Sequence, residues 1–268
     1  MSTRSLLAVV SAGLALLAAT TTTPAAESAY PNKPIRLIIP FPPGGSADPL
    51  GRALGQWFSD KFGVPVVSDN RPGAGTAIAH TMGARAAPDG YTLLLGASSG
   101  LTTNPAFGNK LDYDPIKDFS PVGLAAYIPQ LVVVHPSVPA KNVKELIAVA
   151  KAHPGEINYS TAGRGTVGHL AAELLASVAK IKLTPIHYKS SGLSLTDVIA
   201  GQVHFQFPSL PAALQFSRGG KLRMIAQTGD RRSPAAPDVP TMEEQGLKGF
   251  VVSSGFALFG LLENIRCQ

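Results

Sequence analysis

Three glycine-rich segments hold the residues with the most chemical potential. The first, Gly44-Gly45-Ser46-Ala47-Asp48, stands between an apolar run and a helical pattern. Paired glycines let the chain turn tightly and bring a ligand against the free N–H groups of a helix start, where the helix dipole favours an anion. Such an end is worth on the order of 0.3–1 kcal/mol per charge when exposed, and more when partly buried. A plain β–α turn with Asp48 as N-cap accounts for the same residues equally well. The second, Gly163-Arg164-Gly165-Thr166-Val167-Gly168, has the G-x-G-x-x-G form of a dinucleotide loop. That use requires an acid about 20 residues on, at the end of the next strand. The next strand ends His187-Tyr188-Lys189, and no acid lies between Leu183 and Gly192. A nucleotide is thereby disfavoured, but the same backbone geometry serves a carboxylate, and Thr161 and Thr166 add hydroxyl donors.

The third, Gly96-Ala97-Ser98-Ser99-Gly100, matches the G-x-S-x-G of a hydrolase nucleophile elbow. An elbow must lead into a helix, whereas Asn104-Pro105 and Gly108-Asn109 are turn signals. Asp197 and His204 follow in the right order for a triad, but no motif places them. A small polar loop facing a ligand fits better than an esterase. The six His residues include no H-E-x-x-H or similar spacing, so no metal site is expected, and no cofactor. His169, beside Gly168, reads as a packing or helix-surface histidine as readily as a ligand contact.

These loops need elements to hold them. Short apolar runs that read as strands fall at 35–39, 64–67, 91–95, 131–134, 157–160, 185–188, 203–207 and 222–226. Helical spacing of apolar residues occupies the stretches between, at 50–62, 76–86, 139–152, 169–179 and 193–200, with a short helix at 211–216. Alternating strands and helices predict an α/β fold with mostly parallel sheets, and two such runs predict two lobes. Ligands of open α/β sheets sit beyond the carboxyl ends of the strands, which is where the glycine loops fall.

Composition narrows the class. Charged residues are 15% of the 268, against roughly a quarter in an average soluble protein, and hydrophobic residues are 45%. Disorder and coiled coils are excluded on those grounds, and a single Cys excludes a disulfide scaffold. Residues 1–26 have the layout of a signal peptide: Arg4, then the unbroken apolar and small-residue run 6–19, then a Thr-rich small-residue segment. At 14 residues that run is shorter than a membrane-spanning helix requires. Cleavage there removes one positive charge, Arg4, and lowers the formal net charge from +6 to +5. The mature chain is expected outside the cytoplasm, and its scattered Lys and Arg residues form no stripe for nucleic acid.

Collinear motifs carry a family likeness. PFPPGGSAD, DNRPGAG, AAPDGYTLLLG and LDYDPIKDFSPVGLAA in the first half, with VHPSVPAKNVKELIAVAKAHPGEINYSTAGRGTVGHLAAELL, HYKSSGLSLTDVIAGQV and KLRMIAQTGDRRSPAAPDVPTMEEQGLKGF in the second, resemble the Bug family of periplasmic solute-binding receptors for tripartite tricarboxylate transporters. The resemblance implies a two-lobed type II periplasmic-binding-protein fold that closes on a small carboxylate: a dicarboxylate, a tricarboxylate, an acidic amino acid or an aromatic acid. It implies lobe 1 at 27–125 with 248–268 returning to it, lobe 2 at 126–247, no catalysis, and membrane transporter subunits as partners. The ligand contacts it implies are Pro43, Gly44, Gly45, Ser46, Asp48, Ser98, Ser99, Thr161, Ala162, Gly163, Gly165, Thr166, His169, Ser190 and Ser209, with the segments 98–100, 189–192 and 207–210 lining the rest of the cleft. Two other functions use these residues: a secreted serine hydrolase acting through Ser98, and a receptor presenting its ligand to a membrane kinase. The chain departs from the family pattern at Ser190, where Gly is common, and at His204, where an acid is common; both are expected to retune specificity. The pattern ends after Gly260, so the C-terminal part of lobe 1 is expected to be shortened, with apolar surface uncovered and Cys267 exposed.

Overall fold

The computed structural model describes residues 30–45, 47–217 and 219–261. Residues 1–29, Ser46, Arg218 and 262–268, among them the expected signal peptide and Cys267, lie outside the described residues. Two five-stranded sheets organise the rest. The first contains β1 (Ile35–Ile39), β2 (Val66–Asn70), β3 (Thr92–Ala97), β4 (Phe119–Pro129) and β10 (Ser253–Leu261) in the order β2-β1-β3-β10-β4. The second contains β5 (Leu131–Val134), β6 (Asn158–Thr161), β7 (Thr184–His187), β8 (Phe205–Gln206) and β9 (Arg223–Gln227) in the order β7-β6-β8-β5-β9.

Both sheets share one topology. Three parallel strands are followed by a reversed strand, β10 in one and β5 in the other, and then by a strand antiparallel to it. The expectation of mostly parallel sheets is thus met in strand direction, but the two ladders on each reversed strand are antiparallel. The reversed strands are the ones by which the chain enters each sheet from the other, at Leu131 and at Ser253.

Among the described residues, six helices of eight residues or more pack on these sheets: α1 (Ala47–Phe62), α2 (Ala77–Ala84), α3 (Val143–Ala152), α4 (Val167–Ala179), α5 (Ser191–Ile199) and α6 (Leu210–Ser217). Strand residues alternate between faces and so feed two cores per sheet. In the first sheet Leu37, Ile39 and Leu95 pack under α1, while Ile38 and Leu94 pack with α2, Tyr113 and Phe119. In the second, Val132 and Val134 join α3 and α4, while Leu131 and Val133 join α5 and α6. Full burial of each such side chain is worth roughly 1.5–3 kcal/mol. The α3 helix starts at Val143, later than its spacing predicts, because Asn142 accepts from the Glu145 N–H at 2.9 Å and Glu145 reaches back to the Lys141 N–H at 2.6 Å. This reciprocal capping fixes where the helix begins. At the outer edge of the first sheet, β4 leaves Val122, Leu124 and Tyr127 exposed. Among the described residues no helix is long and apolar enough to cross a membrane.

Candidate functional site

The strand-end loops of both sheets converge on one cavity of about 290 Å³. From the first sheet it is lined by Phe41 to Gly45, ahead of α1, and by Ala97 to Ser99, where β3 runs into a helical segment (Ser99–Thr103, wound as a π-helix, then Asn104–Ala106) in place of the turn expected there. From the second come Ala162 and Thr166 to Gly168 at the start of α4, Lys189 to Gly192 at the start of α5, and Gln206 to Ser209 ahead of α6. The crossing points add Gln130 and Ser254 to Phe256, and α6 adds Gln215 and Phe216. Four helix N-termini therefore open toward one space. Lys189 is the one charged side chain among its described lining residues.

Each loop is braced from behind. Asp48 lies inside the first turn of α1, not ahead of it as an N-cap, and does not line the cavity. Its carboxylate accepts from Arg52 and Asn70, each at 3.1 Å, and from the Gly44 N–H at 3.4 Å. Burial alone would raise its pKa, but the Arg52, Asn70 and Gly44 hydrogen bonds outweigh that and hold it below the usual value. Asp48 thus shapes the 44–45 turn while its own charge is spent.

The 161–169 loop divides the same way. Thr161 is buried; its hydroxyl accepts from the Gly163 N–H at 3.1 Å and pairs with His187 Nδ1 at 2.9 Å. His169 Nδ1 accepts from the Gly165 N–H at 3.2 Å, and its ring packs edge-on against His187. Burial, then the nearby His187, hold the His169 pKa below the ordinary histidine value. Thr161, Gly163, Gly165 and His169 therefore build the loop without lining the cavity, whereas Ala162 and Thr166 line it. The Thr166 hydroxyl donates back to the Gly163 carbonyl at 2.8 Å and does not cap α4, so the first amides of that helix are left for another acceptor. Val167 and Gly168, which belong to the glycine-rich segment but not to the expected contacts, carry these amides. Gly168 has to be glycine: a Cβ there would lie 2.4 Å from the Phe207 carbonyl oxygen.

The Ala97–Ser99 loop rests on a buried aromatic bracket. His80 is fully buried, its Nδ1 bonded to the Thr76 carbonyl at 2.8 Å and its Nε2 facing the Ala97 N–H at 3.4 Å. Tyr113 stacks on the His80 ring and donates to the Gly100 carbonyl at 2.6 Å, and Thr76 and Ser99 hydroxyls meet at 3.2 Å. Pro43, Gly44, Gly45, Ser98, Ser99, Ser190 and Ser209 all line the cavity. Ser190 also caps α5, accepting from the Leu193 N–H at 3.3 Å. His204, expected to retune specificity, is bonded to Asn158 at 2.7 Å beside a separate surface hollow and does not line the cleft.

No triad forms around Ser98. Asp197 accepts from the Tyr188 hydroxyl at 2.5 Å and His204 is held by Asn158, and neither lines the cavity. Among the described residues no group of three or more His, Cys, Asp or Glu side chains stands ready for a metal ion.

The arrangement of paired sheets around one cleft has counterparts. Residues 50–261 match the family described as the tripartite tricarboxylate transporter family receptor, TctC. The chain belongs to this TctC receptor family. Protein BugT of Bordetella pertussis is 37% identical over 263 residues, which span 96% of this chain and 79% of that protein. Among solved structures, an R. palustris protein with adipate superposes with a TM-score of 0.83 at 33% identity, covering 87% of this chain and 78% of that one. MatC of Rhodopseudomonas palustris, with bound malate, has a TM-score of 0.79 at 32% identity, covering 87% and 79%. The periplasmic binding protein BugD has a TM-score of 0.78 at 32% identity, covering 87% and 77%. The likeness to Bug proteins and the two-lobed fold expected from the motifs are thus established, and TctC relatives are binding receptors.

Proposed function

We propose that this chain is a periplasmic receptor that captures a small carboxylate in the cleft and presents it to a tripartite tricarboxylate-type transporter. The observation that carries this reading is the convergence of four helix N-termini on one cavity whose described lining holds a lysine and no acid. Unsatisfied N–H groups and aligned helix dipoles make such a space favourable to anions. Charge-assisted hydrogen bonds from amides and serine hydroxyls are the stronger kind, and micromolar affinity requires only about 8 kcal/mol in sum. Adipate and malate in two relatives point to the same ligand class.

In this reading Gly44, Gly45, Ser98, Thr166 and the 190–192 turn touch the ligand, and Asp48, Thr161 and His169 hold those groups in place. Residues 1–26 direct export. The lobes divide near Gln130 and again before Ser253, and they rotate about that boundary to enclose the acid. The cleft binds and does not catalyse.

Melting curves of the purified protein against a panel of organic acids test the proposal. An acid present at 100 times its Kd stabilises by about 2.7 kcal/mol, which raises the midpoint by roughly 5–10 °C in a domain of this size. A panel of di- and tricarboxylates that leaves the midpoint unmoved contradicts it.

A further inference from the structure

Gln130 lines the cleft, is almost completely buried, and keeps a hydrogen-bonding atom in reserve. It is 3% exposed, lines the cavity, and sits where the chain passes from the first sheet to the second. Its own N–H donates to Thr228 Oγ1 at 2.9 Å, and its carbonyl accepts from the Thr228 N–H at 2.9 Å. Its Nε2 donates to the Ile128 carbonyl at 3.2 Å and to Ser254 Oγ at 3.1 Å. Both amide hydrogens are thereby used. Rotating the amide would set Oε1 against the Ile128 carbonyl, oxygen facing oxygen, so the orientation is fixed by its partners. What remains is Oε1, with no partner among the described residues, and among those residues no fully buried side-chain polar atom is left unsatisfied. Oε1 therefore opens on the cavity that Gln130 lines.

Gln206 makes the contrast. It lines the same cavity, but its Nε2 donates to Ser194 Oγ at 2.8 Å and its Oε1 accepts from the buried Ser160 hydroxyl at 3.2 Å. Gln206 is spent on the scaffold, and Gln130 is not.

A fixed acceptor in a cleft furnished mainly with donors is a selective feature. A bare carboxylate oxygen facing Oε1 is repelled, and Oε1 itself is left unpaired once water is excluded. A ligand O–H satisfies it. An ammonium would satisfy it too, but four helix N-termini and Lys189 oppose a second positive charge, with no acid in the described lining to balance it. We propose that Gln130 is a specificity-determining residue whose fixed Oε1 selects acids bearing a hydroxyl group over their unsubstituted counterparts. Because Gln130 also joins the two crossing segments through Thr228 and Ser254, that contact places the ligand hydroxyl at the boundary between the lobes.

This inference rests on the carboxylate-receptor reading, and calorimetric titration with malate, succinate and aspartate separates the two. Malate and succinate differ by one hydroxyl; aspartate replaces it with an ammonium. The expected result is malate binding about tenfold more tightly than succinate and more tightly than aspartate. In Gln130→Met the malate-to-succinate ratio falls to about one. In Ser254→Ala, which unpins the amide without removing it, the ratio falls about threefold. Equal or tighter binding of succinate by the unaltered protein overturns the proposal without needing any variant, as does aspartate matching malate. A ratio undiminished in both variants overturns the role of Gln130. If these acids and the wider panel all fail to bind, the receptor reading itself fails.

Discussion

His80 has room for one tautomer: Nδ1–H donates to the Thr76 carbonyl and bare Nε2 accepts from the Ala97 N–H. Burial depresses its pKa, partly offset by the Thr76 bond. The unfolded chain takes up this proton near pH 6.5, whereas the folded protein resists until lower pH. The contribution is therefore complete above pH 6.5 and is lost as pH falls from there through the folded value. His169 and His204 shift in the same direction. Urea unfolding is expected to show lower stability at pH 5 than at pH 7.5, with a smaller difference in His80→Gln; greater stability at pH 5 would contradict this account. His80→Gln itself is expected to cost about 1–3 kcal/mol, through the lost ring packing and a poorly placed hydrogen bond. At this scale the sequence was only half legible. Thr161, Asp48 and His169 have the residue types and spacing of ligand contacts, yet they brace the loops. Bracing and binding both call for short polar side chains beside glycines, so type and spacing alone do not separate them. Gln130 gave no signal at all, since one polar residue between two apolar runs reads as an ordinary connection.

Among the elements, the α4 start carries the sharpest constraint. Gly168→Ala would drive a methyl group into the Phe207 carbonyl, across the junction between the loop after β6 and the end of β8. Overpacking of this kind typically costs about 1–3 kcal/mol, and here it also displaces the first amides of α4. The variant is expected to melt lower and to bind the best acid of the panel at least tenfold more weakly; unchanged affinity would show that those amides are not used. Most strands and helices were readable because their apolar residues recur cleanly at periods near 2 or 3.6. The long antiparallel pair β4 and β10 was not. Pro121 and Gly123 interrupt the β4 alternation, and Ser253 to Gly255 open β10 with small polar residues that resemble a turn. Their pairing supplies what local pattern lacks, with two register shifts accommodating the mismatch. β2 moved for a related reason: Asp69 and Asn70, poor strand formers, are drawn into the sheet by parallel pairing with Ile38 and Ile39. Asp69 is paired with Arg36 at 2.5 Å and Arg71 at 2.8 Å.

For the molecule as a whole, repeated β–α alternation predicted two lobes, and collinear motifs predicted the kind of lobe. The motifs implied that 248–268 would return to the first lobe, but neither signal foretold that the strand by which the chain enters each sheet would be the reversed one. This passage between sheets leaves two short crossings, at Gln130 and before Ser253, tied together by Thr228, which bonds to both Gln130 and Val252. Rotation about so narrow a waist needs few backbone changes. Small-angle X-ray scattering is expected to show a smaller radius of gyration with a saturating acid than without; identical curves for a bound acid would rule out closure. The central claim is that a carboxylate lies where the helix N-termini meet, and a crystal structure of the protein grown with malate tests it most directly. The account predicts carboxylate oxygens at about 2.7–3.2 Å from the amides of Gly45, Val167 and Gly168. Malate bound elsewhere, or a cleft holding only solvent, would contradict it.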